Sequence, residues 1–409
     1  MNRTVHNAGL ALLAVLGCVL MARYFVGLSG SDPSAFLDLQ VYRDAIGYWR
    51  ADGSGLYDRT FTSTSLPFLY PPFALVMLAP TTWVSLQMAD VGLLIASLGA
   101  TFAVALASVR RIGFAGQDAV FTAIFVAGIA SVTEPFWSTL LFGQVNVLIM
   151  LAVVIDVLWM PPRWRGLLTG LVAGIKLTPL VFVLYFAWKR DGRAVARLIV
   201  TFLVTVVVGI VATPSDSLRF FSTLGRSEAR LVDTSIVTNQ SLRGVFLRLL
   251  GPGTAATGAW VAASLVLLVV LAIALRRSGS WETSVSTLLP VSLVAVAGLL
   301  ISPISWTQHW VWCLPLAVTL LGTRSLSTML RICGLLLLMA VTVTKPLLWM
   351  GSLPRPMTNA WWDKWVASNI YVIVGIAILM AVAATRPPST ASGVSSALEP
   401  ANVESDRVG

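Results

Sequence analysis

Asp38 lies in the run Phe36-Leu-Asp-Leu-Gln-Val-Tyr-Arg-Asp-Ala-Ile-Gly-Tyr-Trp49. At about 100° per residue a helix here sets Val41, Tyr42, Ala45, Ile46 and Trp49 around Asp38, with Gln40, Arg43, Asp44, Gly47 and Arg50 opposite. A carboxylate in the middle of an apolar face is costly and needs a reason. Two are open: a catalytic base, or one half of a pair with a buried arginine. Asp44 falls on the polar face, and Asp52 and Asp58 stand in turn-like sequence, so solvated or capping roles cover them.

Cations come next. Lys176, between Ala173-Gly-Ile and Leu-Thr-Pro179, is an ammonium in an apolar stretch, where it must face an anion, a cavity or an acid. Arg219, Arg226, Arg230 and Arg243 share the polar interval 214–250, on the side where the charge bias of membrane proteins does not place them, which suggests an anionic headgroup or phosphate partner. The amides Gln144 and Asn146 of Gly143-Gln-Val-Asn, and Asn239 and Gln240 of Thr238-Asn-Gln-Ser241, can cap broken backbone or bind sugar hydroxyls. Tyr70 opens Tyr70-Pro-Pro-Phe73, an interfacial entry to a membrane helix, while Trp306 and His309 belong to Ser302-Pro-Ile-Ser-Trp-Thr-Gln-His-Trp310. A carboxylate, cations, amides and aromatics at a membrane surface suit sugar transfer from a lipid phosphate, with the acid deprotonating an acceptor hydroxyl and the cations holding the departing phosphate. The chain has no nucleotide-binding glycine-rich loop and no paired acids in a soluble domain, which argues against a nucleotide-sugar donor.

The elements that position these residues are membrane helices. With 409 residues, 57% of them hydrophobic and 11% charged, this is an all-α polytopic membrane protein, read as a single domain over 1–385 with a disordered cytoplasmic tail from 386 to 409. Apolar segments at about 8–28, 72–84, 88–109, 114–133, 144–160, 166–188, 195–213, 256–275, 284–301, 310–323, 327–349 and 367–385 give about 12 candidate spans. Pro179 and Lys176 divide 166–188 into two half-helices meeting near the outer surface, and 72–84 is short enough only to dip into the bilayer. After the first apolar segment, the interval 29–70 is expected to carry a short helix starting at Asp32 and Pro33 and ending at Gly53. Basic loops at Arg110-Arg111, Arg163 to Arg165, Lys189 to Arg193 and Arg276-Arg277 mark the cytoplasmic side and account for the net charge of +10 without nucleic acid. The 3 cysteines are scattered through apolar segments, which indicates neither a disulfide framework nor a metal site.

Taken in order, Asp38-x-x-Val41-Tyr42, Tyr70-Pro-Pro-Phe73, Gly143-Gln-Val-Asn146, Ile175-Lys-Leu-Thr-Pro179, Asn239-Gln-Ser-Leu242 and Ser302-Pro-Ile-Ser-Trp306 through His309-Trp310 resemble the actinobacterial polyprenyl-phosphate-sugar-dependent enzymes of glycosyltransferase family 87. The resemblance implies a C-type glycosyltransferase fold in the plasma membrane with an extracytoplasmic active site, an inverting mechanism without metal or cofactor, and Asp38 as general base. It also implies polyprenyl-phosphate mannose as donor, a mannosylated lipid such as a phosphatidylinositol mannoside or lipomannan as acceptor, and Lys176 and His309 as donor-phosphate contacts. Relatives often carry adjacent histidines where this chain has Gln308-His309. Arabinofuranosyl transfer from the matching polyprenyl phosphate and non-enzymatic transport of a polyprenyl lipid are the competing expectations.

Overall fold

The computed structural model describes residues 3–27, 35–51, 54–61, 66–223, 233–278, 285–323, 326–350, 365–366 and 368–385. The expected tail after Arg386, the cations Arg226 and Arg230, and the expected helix start and stop at Asp32, Pro33 and Gly53 lie outside these residues.

Helices dominate. In chain order they are α1 (Arg3–Gly27), α2 (Leu37–Ala51), α3 (Pro72–Leu78), α4 (Leu86–Arg111), α5 (Gly116–Val132), α6 (Glu134–Leu141), α7 (Asn146–Leu158), α8 (Leu167–Ile175), α9 (Val183–Trp188), α10 (Gly192–Ala212), α11 (Pro214–Ser222), α12 (Leu242–Leu250), α13 (Thr254–Ser278), α14 (Val285–Ile301), α15 (Cys313–Gly322), α16 (Thr328–Met350) and α17 (Ile370–Ala384). Short 3-10 turns at Thr178–Phe182 and Thr307–Trp312 join α8 to α9 and precede α15. Among the described residues, α1, α4, α10 and α13 are long and apolar enough to cross a bilayer alone, and α5 with α6 forms a fifth candidate bent by 78°. This is a multi-pass membrane protein. Most of the apolar segments read from sequence are single helices, whereas 166–188 is interrupted between α8 and the 3-10 turn at Thr178–Phe182, 72–84 passes from α3 into a 3-10 turn at Ala79–Trp83, and 310–323 starts in the 3-10 turn that ends at Trp312.

Each break leaves backbone groups that lipid cannot satisfy. Pro135 has no N–H to offer and Thr133 before it is extended, so α5 ends at Val132 and the freed Ser131 carbonyl accepts from Arg23 Nη2 of α1, at 3.0 Å, and from the Tyr24 hydroxyl. Alpha1 lies close enough to do this because Gly17 and Gly128 meet where neither has room for a Cβ. Pro303 deprives the Leu299 carbonyl in the same way, and Ser305 Oγ replaces the missing donor at 2.6 Å. The carbonyl of Ile301, at the end of α14, accepts from Trp260 Nε1 at 3.0 Å.

Two features set up the site. The segment 166–188 is a hairpin: Arg165 at its start lies 3.5 Å from Asp191 at its end, and Arg197 donates to the carbonyls of Arg165 (2.7 Å) and Pro162 (2.6 Å). Lys176 is therefore at the apex, as its Pro179 neighbour suggests. Gly166, Gly170 and Gly174 seat α8 directly on Ala194, Leu198 and Thr205 of α10, and buried Asp156 caps the start of α8 through the Gly166 and Thr169 amides, each at 2.8 Å.

The second feature is α2. Its buried residues are Leu39, Val41, Tyr42, Ala45 and Ile46, while Arg43 and Arg50 on the other face reach Val84 O at 3.1 Å and Thr82 Oγ1 at 2.8 Å. The helix starts later than the Asp32-Pro33 signal indicates. Phe36 has φ 55°, outside the helical region, and its N–H donates to Leu141 O at 2.6 Å while that of Asp38 donates to Phe142 O at 2.9 Å. The ends of α6 thus fix where α2 begins.

Replacing Arg23 with Leu together with Tyr24→Phe leaves the Ser131 carbonyl without its donors. The expected outcome is a loss of about 1–3 kcal/mol, read as a lower thermal midpoint in detergent.

Candidate active site

Asp38 Oδ2 accepts from Gln144 Nε2 at 2.6 Å. Gln144 Oε1 accepts from the Tyr70 hydroxyl at 3.0 Å and from Asn146 Nδ2 at 3.2 Å, and Tyr42 donates to the Tyr70 oxygen at 2.8 Å. On the far side Asn146 Oδ1 accepts from Lys176 Nζ at 2.7 Å, and that nitrogen lies 2.9 Å from His309 Nε2. A continuous chain therefore runs from the carboxylate through two amides to the ammonium and imidazole. Seven of the residues read from sequence, Asp38, Tyr42, Tyr70, Gln144, Asn146, Lys176 and His309, are brought together in it.

Their positions follow from the breaks. Gly143 takes φ 68°, and a Cβ there would sit 3.0 Å from Leu39 and 3.1 Å from Phe36, so the turn that aims Gln144 at Asp38 needs glycine on both counts. Asn146 begins α7 and also donates to Gln308 O at 3.0 Å, a carbonyl that Thr139 Oγ1 shares at 2.9 Å. Thr307 donates to buried Glu134 at 2.8 Å, fastening the His309 turn to the start of α6. Sequence reading gave Thr139, Glu134 and Thr307 no part in holding that turn; the signal was Pro303, which announces a broken helix whose ends need partners. The Tyr70 ring lies under the ammonium, 5.3 Å from Lys176 Nζ to its centroid.

The remaining candidates stand apart. Asn239 Nδ2 donates to Thr234 O at 2.8 Å and its Oδ1 accepts from Ser305 N at 2.9 Å. Gln240 donates to Val237 O and Ser368 O at 2.6 and 2.8 Å and accepts from Tyr371 N at 3.2 Å. Both amides are spent on backbone, bracing 233–241 against the Pro303 break and the start of α17. Arg248, which the sequence reading passed over, completes this brace through Ile236 O at 2.9 Å and Asn369 Oδ1 at 2.6 Å. Trp306 is half-buried and its backbone bridges Asn239. Of the cations assigned to an anionic partner, Arg219 pairs with Asp58 at 2.7 Å and Arg243 lies over the Trp260 ring.

Burial pushes the Asp38 carboxyl up to about 6, against the lowering pull of the Gln144 hydrogen bond and the Lys176 charge. That range makes it able to take a proton near neutral pH. Beside Lys176, Asn146 and His309 opens a recess with apolar walls that include Ile149, Val181, Phe182, Leu299 and Trp312. One end of the site suits an anion and its walls suit hydrocarbon.

A buried carboxylate linked through two amides to an ammonium beside an apolar recess, in a protein built of apolar helices, is the arrangement of a polytopic membrane enzyme. Residues 68–303 match the family described as Glycosyltransferase family 87, and the chain belongs to that family. It is 34% identical over 395 residues, 94% of this chain and 88% of the relative, to the polyprenol-phosphate-mannose-dependent alpha-(1-2)-phosphatidylinositol pentamannoside mannosyltransferase of Mycobacterium tuberculosis. It is 31% identical over 378 residues, 84% of this chain and 85% of the relative, to the polyprenol-phosphate-mannose-dependent alpha-(1-2)-phosphatidylinositol mannoside mannosyltransferase of the same species. A weaker likeness, 27% over 215 residues and half of this chain, joins it to an alpha-(1->3)-arabinofuranosyltransferase of M. tuberculosis. No solved structure matches the chain.

Gly143→Ala tests the turn. Strain at φ 68° and contact with Leu39 should move Gln144 off Asp38 and cut transfer roughly tenfold or more, a loss larger than the accompanying fall in thermal midpoint explains. Unchanged turnover would show that the amide link is dispensable.

Proposed function

We propose that this protein transfers mannose from polyprenyl-phosphate mannose to a mannosylated glycolipid or lipoglycan, with inversion, forming an α-mannosidic bond of α-1,2 type. The observation that carries the reading is the hydrogen-bonded chain from Asp38 to Lys176 and His309, a base and a phosphate-binding group joined by rigid amides. The relatives' names supply the donor and the acceptor class. Asp38 removes the proton of an acceptor hydroxyl as its oxygen attacks the anomeric carbon. The bond to the phosphate oxygen breaks, and the leaving phosphate is met by Lys176 and His309. The isoprenoid next to the phosphate lies along the apolar recess. In this reading the fold is of the C type, with about 12 spans in the plasma membrane and the site opening on the extracytoplasmic face, where α2 and the loops around 29–70 and 214–250 are placed.

Purified protein supplied with polyprenyl-phosphate mannose should release polyprenyl phosphate when a phosphatidylinositol mannoside is added, and the arabinofuranose donor should not substitute. Release from the arabinofuranose donor alone would move the reading to the weaker relative, and release from neither would favour a lipid transporter. Asp38→Asn should fold with an unchanged thermal midpoint and lose about 1,000-fold or more in turnover. Wild-type turnover in that variant would remove Asp38 from the mechanism.

The pH profile gives a second test. A base acts when ionised, and burial raises the Asp38 carboxyl to about 6, so the active fraction grows as pH rises through that value. Expected is a kcat/KM that climbs about tenfold per pH unit below about 6 and levels above it. A profile flat from about pH 5 to 7 would contradict the assignment.

A further inference from the structure

The hydrogen bonds around His309 fix more than its presence. Asn146 Nδ2 donates to Gln308 O at 3.0 Å and to Gln144 Oε1 at 3.2 Å, so the opposite face of the amide, Oδ1, is the one turned to Lys176 Nζ at 2.7 Å. Lysine is the donor in that bond, and an ammonium has hydrogens to give and no lone pair to offer. Its contact with His309 Nε2 at 2.9 Å then requires Nε2 to be the acceptor. An imidazole that accepts at Nε2 is neutral and keeps its one N–H on Nδ1. Nδ1 is buried and has no hydrogen-bond partner among the described residues, and His309 lines the recess beside Lys176 and Asn146. A buried N–H without a partner is costly in a protein that has matched a donor to so many other freed groups.

We propose that His309 is a neutral donor, giving its Nδ1–H to a non-bridging oxygen of the donor phosphodiester, while Lys176 supplies the positive charge. The inference rests on the polyprenyl-phosphate donor reading above. Its value lies in charge matching. The phosphodiester carries one negative charge. When the acceptor oxygen bonds to the anomeric carbon, the electron pair of the breaking C–O bond goes to the phosphate, the hydroxyl proton goes to Asp38, and the departing phosphate monoester carries a second charge. His309 gives up no proton in this step. One cation and one neutral donor match the substrate's single charge and leave the product's second charge uncompensated, which favours release. An imidazolium in the same place would hold the product.

Two measurements test this. In the full chain labelled with 15N-histidine and free of substrate, nitrogen spectra assigned with His6→Asn should show His309 protonated at Nδ1 and bare at Nε2 at neutral pH. Protonation at both nitrogens, or at Nε2 alone, overturns the proposal. This arm needs no sugar donor, so it fails or succeeds apart from the mannosyl-transfer reading. In the second, polyprenyl phosphate is titrated into wild type, His309→Asn and His309→Gln, each checked for an unchanged thermal midpoint. Asparagine sets its amide nitrogen near the place of Nδ1 and glutamine near that of Nε2. Expected is a loss of affinity of less than about fivefold for Asn and about tenfold or more for Gln. Equal losses, or the reverse order, overturn the Nδ1 assignment, and if either variant fails to fold the nitrogen spectra decide it.

Discussion

A broken helix in an apolar surrounding must find donors and acceptors for the backbone groups that the break sets free, and the architecture of this protein depends on that requirement. Pro135, Pro179 and Pro303 interrupt the helices that carry Glu134, Lys176 and the His309 turn. Side chains from elsewhere in the chain then answer for the exposed carbonyls: Arg23 and Tyr24 on Ser131, Ser305 on Leu299, Trp260 on Ile301, Asn239 on Pro303, Thr139 and Asn146 on Gln308. The breaks also bring chemistry close together. A continuous helix buries its amides in its own ladder, whereas an interrupted one ends in a turn from which side chains can converge.

Asn146 shows how tightly scaffold and chemistry are joined. Its nitrogen closes the backbone of the His309 turn and its oxygen orients Lys176, so the residue that repairs the break also places the cation. Gln144 links the same amide to Asp38, and Gly143 provides the approach that makes the link possible. The distance between base and cation is thus set by short bonds between side chains with few rotatable torsions, an arrangement suited to holding a reacting centre at fixed geometry.

Much of this was legible in the residues, and the rest was hidden for identifiable reasons. The apolar face around Asp38 follows from helical periodicity, and Lys176 beside Pro179 announces a break at the apex of a hairpin. The start of α2 was not legible, because it is decided by the Leu141 and Phe142 carbonyls, far along the chain. Asn239 and Gln240 read as ligands because free amides in a polar interval do; what occupies them is the backbone of 303–305, 368 and 371, and sequence does not show that pairing. Where an apolar stretch bends is hidden in a related way. Hydropathy measures how apolar a stretch is, while glycine and proline decide whether it runs straight.

The junction at Ser131 joins distant parts of the chain. The break before Pro135 frees a carbonyl that Arg23 and Tyr24 satisfy, although Arg23 and Ser131 are 108 positions apart. Losing Arg23 and Tyr24 together would leave that carbonyl orphaned in an apolar surrounding. The bend between α5 and α6 is therefore completed only when α1 is in place, so the first helix of the chain is part of the frame that holds the site and not merely an anchor beside it.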